Sequence, residues 1–138
     1  MVPEAMSDGH QIVFVVDEDL AVRDSLVFAL GLEGFSVRAC SSGVELLRHL
    51  DLLSARCLVI EDKMLEMDGF EVLAFLASRD LKVPVILLTS HSTAAIRKRA
   101  ALAGVRHVLE KPLLDGSLVD CLHEILSNAV QLRPIIPA

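Results

Sequence analysis

Two textures alternate along the chain. Continuous apolar runs stand at "QIVFVV" (Gln11 to Val16), "FSVRA" (Phe35 to Ala39), "CLVI" (Cys57 to Ile60), "VPVILL" (Val83 to Leu88) and "RHVL" (Arg106 to Leu109). Runs rich in valine and isoleucine, without polar alternation, predict strands covered on both faces. The stretches between them carry helical spacing. Val22, Leu26, Ala29 and Leu30 fall at i, i+4, i+7 and i+8, and Leu118, Cys121, Leu122, Ile125 and Leu126 follow the same rule in the last segment. Gly34 and Gly104 sit where helix C-caps precede a strand.

Five strands alternating with five helices imply right-handed crossovers, hence an α/β fold: a flavodoxin-like, doubly wound, five-stranded parallel sheet in the order 2-1-3-4-5. One domain is expected over residues 11–130. A flexible extension precedes it over residues 1–10, and a tail follows over residues 131–138, where Pro134 breaks the last helix. Sites in such sheets form outside the carboxyl ends of the strands, so the residues that end each strand are the ones to read.

Those ends are polar in a patterned way. Strand one finishes in Asp17, Glu18 and Asp19, strand three in Glu61 and Asp62, strand four in Thr89 and Ser90, and strand five in Glu110, Lys111 and Pro112. Several like charges gathered on one edge call for a cation, and hard carboxylate oxygens suit magnesium or manganese. A lysine opposite them supplies further positive charge, and a threonine hydroxyl can donate to a phosphoryl oxygen.

Composition narrows the partners. The chain has 138 residues, 53% of them hydrophobic, which is enough for a substantial core. Its 13 basic and 19 acidic residues give a net charge of -6, which argues against an electrostatic grip on nucleic acid or an anionic membrane and favours a protein partner. No apolar stretch approaches the roughly 20 residues needed to cross a bilayer, and the N-terminus lacks the features of a signal peptide, so a cytoplasmic location is expected. Cys40, Cys57 and Cys121 are odd in number and set in apolar surroundings, as reduced core thiols would be.

The segments "IVFVVDEDLAVRDSL", "CLVIEDKMLEMDGFEVL", "VPVILLTSHS" and "HVLEKP" resemble the receiver domains of two-component response regulators, over about residues 11 to 130. The resemblance implies a phosphorelay signalling module and no enzyme. It places Asp17 and Glu18 at the metal-binding acidic pair, Thr89 at the hydroxyl position and Lys111 at the lysine position before Pro112. It also gives the Lys63 backbone carbonyl to the ion. A sensor kinase, another regulator, an output domain or a second copy of the chain is the implied partner.

The chain departs from that family at the acceptor. In the pattern D-x-x-M-P-x-M-x-G, counting back from Met64 and Gly69 lands on Glu61, not Asp62, and Leu65 replaces the proline. Adjacent strand residues face opposite sides, so Asp62 is expected to point away from the pocket. Glu61 is expected to pair with Lys111, to accept from Thr89, and to share with Asp17 and Glu18 a magnesium ion held weakly or not at all. A second departure is Val108, which stands where active members place a swinging Phe or Tyr; a β-branched side chain has few rotamers. Arg97, Lys98 and Arg99 in "IRKRA" form a basic patch suited to a dimer or partner surface.

Two rival readings compete with an unphosphorylated receiver. One keeps the receiver and lets Asp62 accept phosphoryl through a bulge in strand three. The other resembles haloacid-dehalogenase-like phosphatases, with Asp17 as nucleophile and Asp19 as acid/base, but Ala21 departs from that pattern and Asp115 and Asp120 fall in a helical stretch.

Overall fold

A computed structural model describes residues 11–113 and 116–132. The extension assigned to residues 1–10, Asp115 and Pro134 lie outside the described residues. In chain order the elements are β1 Ile12–Val16, α1 Leu20–Leu32, β2 Ser36–Cys40, α2 Gly43–Leu47, a 3-10 turn Leu52–Ser54, β3 Ala55–Glu61, α3 Gly69–Ser78, β4 Val85–Thr89, α4 Ala94–Leu102, β5 His107–Glu110 and α5 Ser117–Leu132. The strands form one parallel sheet in the order β2-β1-β3-β4-β5. α5 runs two residues into the stretch assigned to the tail.

Strand alternation divides the core into two layers. Phe14, Val16, Leu58, Ile60, Val85 and Leu87 point to the layer that also holds Leu46, Val72, Leu76 and Ala100, from α2, α3 and α4. Val13, Val15, Cys57, Val59, Ile86 and Leu88 point to the other, with Leu26 and Leu30 of α1 and Leu122 and Ile125 of α5. Full burial of each large apolar side chain stabilises by about 1.5–3 kcal/mol, so the paired layers dominate the stability of the sheet. The expectation of two covered faces holds for β1 and β4, which are buried throughout. It fails for β2 and β5, because edge strands have one unpaired side and lie only half-buried.

The helices end as their sequences dictate. At Gly34 (φ +95°) and Gly104 (φ +84°) the chain enters the left-handed region. The following residues reach back across the turn: Phe35 N–H donates to the Leu30 carbonyl, and Val105 N–H to that of Ala100. α3 begins with a reciprocal cap between Asp68 and Glu71. Ala29, expected on the buried stripe of α1, is exposed; Leu26 and Leu30 are buried there, with Val22 half-buried against the same layer.

Gly69 fixes the junction that matters most for the strand ends. Its N–H donates to the Asp62 carbonyl at 2.8 Å. An added Cβ would lie 2.4 Å from the Glu61 carbonyl oxygen and 3.1 Å from the Asp62 Cα, both backbone atoms that cannot swing aside. Gly69→Ala is therefore expected to lower stability by roughly 1–3 kcal/mol, the ordinary cost of overpacking. Urea denaturation checks it, and an unchanged midpoint would show that α3 can shift freely against β3.

Candidate functional site

The alternation that sorts the core also sorts the polar residues just past it. On the face of α1 and α5, β1 continues from Val13 and Val15 to Asp17, and β3 from Cys57 and Val59 to Glu61. Lys111 Nζ lies between the two acids, donating to Asp17 Oδ2 at 2.9 Å and to Glu61 Oε2 at 3.1 Å. Asp17 is fully buried, and its other oxygen accepts the Asp19 N–H at 2.9 Å. The second oxygen of Glu61 accepts the Glu18 N–H at 3.3 Å. Arg23 Nη1 braces the same turn from outside, donating to the carbonyls of Asp17 and Glu18 at 2.8 and 3.0 Å.

This grouping perturbs two of its members in ways that look opposed. Burial and the nearby Asp17 carboxylate raise the pKa of Glu61 above the ordinary carboxylate value, against the pull of Lys111. For Lys111, burial favours loss of the proton, yet the hydrogen bonds and charges of Asp17 and Glu61 outweigh it and the pKa is raised. Both shifts have one origin. One ammonium serves two carboxylates, so it is over-satisfied while Glu61 is under-compensated.

Thr89 goes elsewhere. It follows Val85 and Leu87 on the α3 and α4 face, and so does Asp62 after Leu58 and Ile60. Thr89 Oγ1 donates to Asp62 Oδ2 at 2.9 Å, with both residues buried. Asp62 was expected to point away from the pocket; its carboxylate has no bond to Glu61 or Lys111 but meets Thr89, the hydroxyl residue assigned to that pocket. The accompanying expectation that Thr89 would serve Glu61 is corrected: period 2 puts the hydroxyl on the side of Asp62. Asp62 Oδ1 also accepts the Lys63 N–H at 2.8 Å, so the buried carboxylate is satisfied on both oxygens.

The acidic set assigned to a divalent ion does not assemble. Glu18 is exposed, and its Oε2 accepts the Leu65 N–H at 2.5 Å rather than turning to Asp17 and Glu61. Among the described residues no three His, Cys, Asp or Glu side chains are grouped to hold a metal ion. The oxygens of Asp17 and Glu61 already have N–H partners, one of them a full positive charge. As arranged, these residues do not fit magnesium; Lys63, whose carbonyl was assigned to the ion, is exposed beside them.

The other candidates are dispersed. Val108 is half-buried and packs on the α2, α3 and α4 layer as core filling. Arg97, Lys98 and Arg99 are exposed on α4, with Arg97 Nη1 donating to the Ser92 carbonyl at 2.5 Å and the Arg99 guanidinium 4.1 Å from the centre of the Phe70 ring. Glu110 is exposed and accepts the Ser92 N–H at 3.2 Å, outside the acid–lysine group. Asp19, cast as an acid/base in the phosphatase reading, is the N-cap of α1 and accepts from the Ala21 and Val22 N–H groups. A carboxylate before an amphipathic helix is an N-cap signal, and it was legible in the sequence. Arg23 was missed because backbone carbonyls leave no pattern in the sequence.

Comparison with known proteins agrees with this architecture. The response regulator receiver domain family matches residues 13–123. Transcriptional regulatory protein FixJ of Bradyrhizobium diazoefficiens is 31% identical over 121 residues, covering 88% of this chain and 58% of that protein. The C4-dicarboxylate transport transcriptional regulatory protein DctR of Rhodobacter capsulatus is 34% identical over 110 residues, covering 78% of this chain and 56% of its own. The crystal structure of FixJ-N superposes with a TM-score of 0.73 at 29% identity, over 83% of this chain and 91% of that one. The chain thus spans less than two thirds of the length of these curated relatives. No helix among the described residues is long and apolar enough to cross a membrane.

The raised pKa of Glu61 has a pH consequence. The folded state binds this proton more tightly than the unfolded chain does, so ionising Glu61 costs stability. The cost is absent below the ordinary value of 4.5 and complete once pH has risen through the higher folded value. The raised pKa of Lys111 contributes stability that is fully present below its ordinary 10.5 and is lost only as pH rises through the higher folded value, so it stays constant over this range. Glu61→Gln is therefore expected to gain stability relative to the wild type as pH rises from 4.5 towards neutrality, read from denaturation midpoints. A relative gain by the wild type would mean that the Lys111 attraction outweighs burial.

Proposed function

The chain belongs to the response regulator receiver family, and from that premise we propose that it is an atypical receiver, signalling by protein contact without being phosphorylated in the usual way. The observation that carries this reading is the engagement of Glu61, with one oxygen on the Lys111 ammonium and the other on the Glu18 N–H. The extra methylene of glutamate pushes its carboxylate on the order of 1.5 Å beyond an aspartate, towards the space a phosphoryl group would fill. Misplacement of that size can cost an in-line transfer roughly a hundredfold. The pairing of Glu61 with Lys111 holds a carboxylate near the space of a phosphoryl group, which partly imitates a modified pocket.

The readout is altered along with the acceptor. Thr89 is committed to Asp62, and Val108 has no ring to swing, so neither half of the usual coupling is free to move. Such a module acts as a fixed surface for a sensor kinase, another regulator, an output domain or a second copy of itself. Arg97, Lys98 and Arg99 are the proposed contact on an otherwise acidic chain, in the cytoplasm and away from nucleic acid. Magnesium binding is weak or absent in this reading.

A second reading has one observation in its favour: Asp62 holds the Thr89 hydroxyl, the group expected to meet a phosphoryl oxygen. Against it, Asp62 is only 4% exposed, and Lys111 is bound to Glu61 and Asp17 instead. Incubation with acetyl phosphate and magnesium, followed by intact mass measurement and peptide mapping, separates the two. No adduct is expected on the wild type. A stoichiometric adduct would overturn the proposal, and its position on Glu61 or Asp62 would name the acceptor. Glu61→Asp is expected to take up phosphoryl without changing oligomeric state, since Thr89 and Val108 remain as they are.

A further inference from the structure

Residues 63–68 connect β3 to α3 and are tied down at three points. Lys63 N–H donates to Asp62 Oδ1 and Gly69 N–H to the Asp62 carbonyl, each at 2.8 Å. Between these ties, the Leu65 N–H donates to Glu18 Oε2 at 2.5 Å, from a loop 47 residues away in sequence. Glu18 is itself fixed: its N–H donates to Glu61 and its carbonyl accepts from Arg23 Nη1. Glu18 therefore meets both positions at which the acceptor motif departs from the receiver pattern, Glu61 through its backbone and Leu65 through its side chain.

The chemistry of position 65 makes that contact specific. A proline there has no N–H and could not donate; leucine can. An amide hydrogen bonded to a carboxylate is charge-assisted, shorter and stronger than one between neutral groups. The leucine side chain contributes nothing to the contact, being 88% exposed.

We propose that Glu18 is a strut and not a cation ligand: it links the β1–α1 and β3–α3 loops through the Leu65 N–H, so that the loop over the site is held without a metal ion. This positioning role stands apart from the fate of Glu61, since an adduct found there would leave the Glu18 to Leu65 link to be judged on its own. The carboxylate that the family pattern gives to a cation is instead consumed by the backbone.

Residue-resolved amide hydrogen exchange on the full chain tests the strut. The Leu65 amide is expected to be protected in the wild type and in Glu18→Gln, which keeps an acceptor oxygen, and to exchange about tenfold faster in Glu18→Ala. The amides of β1 should be unaffected in all three. Leu65→Pro, which removes the donor and leaves Glu18 intact, should speed exchange at Glu66 and Met67. A magnesium titration of the thermal midpoint completes the test, with no rise expected in the wild type. An unprotected Leu65 amide in the wild type, equal exchange in the Gln and Ala variants, or a magnesium-dependent rise lost in Glu18→Gln would each overturn the proposal.

Discussion

One ammonium holds the carboxyl edge of the sheet together. Asp17 and Glu61 are carried to adjacent strand ends by apolar runs, and a buried and a half-buried carboxylate brought together there repel each other. Lys111, arriving from the far strand β5, is what allows both to be there. Its backbone takes part as well, because the Lys111 N–H donates to the Thr89 carbonyl and extends the β4–β5 ladder past its last residue pair. The charge group thus ties β1, β3, β4 and β5 at one level, and the loops above are arranged around it.

A second constraint, the two-residue period of a strand, explains why the polar residues split. Asp17 and Glu61 emerge on the face of α1 and α5; Asp62 and Thr89 emerge on the face of α3 and α4. Two acids side by side in sequence therefore have separate duties. Glu61, half-buried, answers the lysine, and Asp62, buried, answers the threonine. Lys111 with Asp17 and Glu61, and Thr89 with Asp62, thus form two separate groups on opposite faces of the sheet.

Much of this was legible before any coordinates. Strand order followed from the alternation of apolar runs with helical spacing, and Gly34 and Gly104 marked helix ends because only a residue without Cβ enters the left-handed region cheaply. Counting from Met64 and Gly69 placed Glu61, and the Lys111 pairing followed from charge. The partner of Thr89 was misassigned even though the same period-2 rule, carried along β4 as well as β3, points to Asp62. Other features lay beyond sequence reasoning altogether. Glu18 turning to the Leu65 N–H, and Arg23 holding two carbonyls, depend on backbone groups whose positions are set only once the loops are folded.

The burial that shapes the two layers also disposes of the thiols. Desolvation pushes Cys40 and Cys57 up to about 12, so at neutral pH almost none of either exists as the nucleophilic thiolate. Cys121, on α5, is half-buried and packs against the layer of α1 and α5. Burial and the nearby Glu124 and Asp120 carboxylates raise the pKa of Cys121 as well, so all three thiols are held back from the nucleophilic form and the fold keeps its sulfur inert.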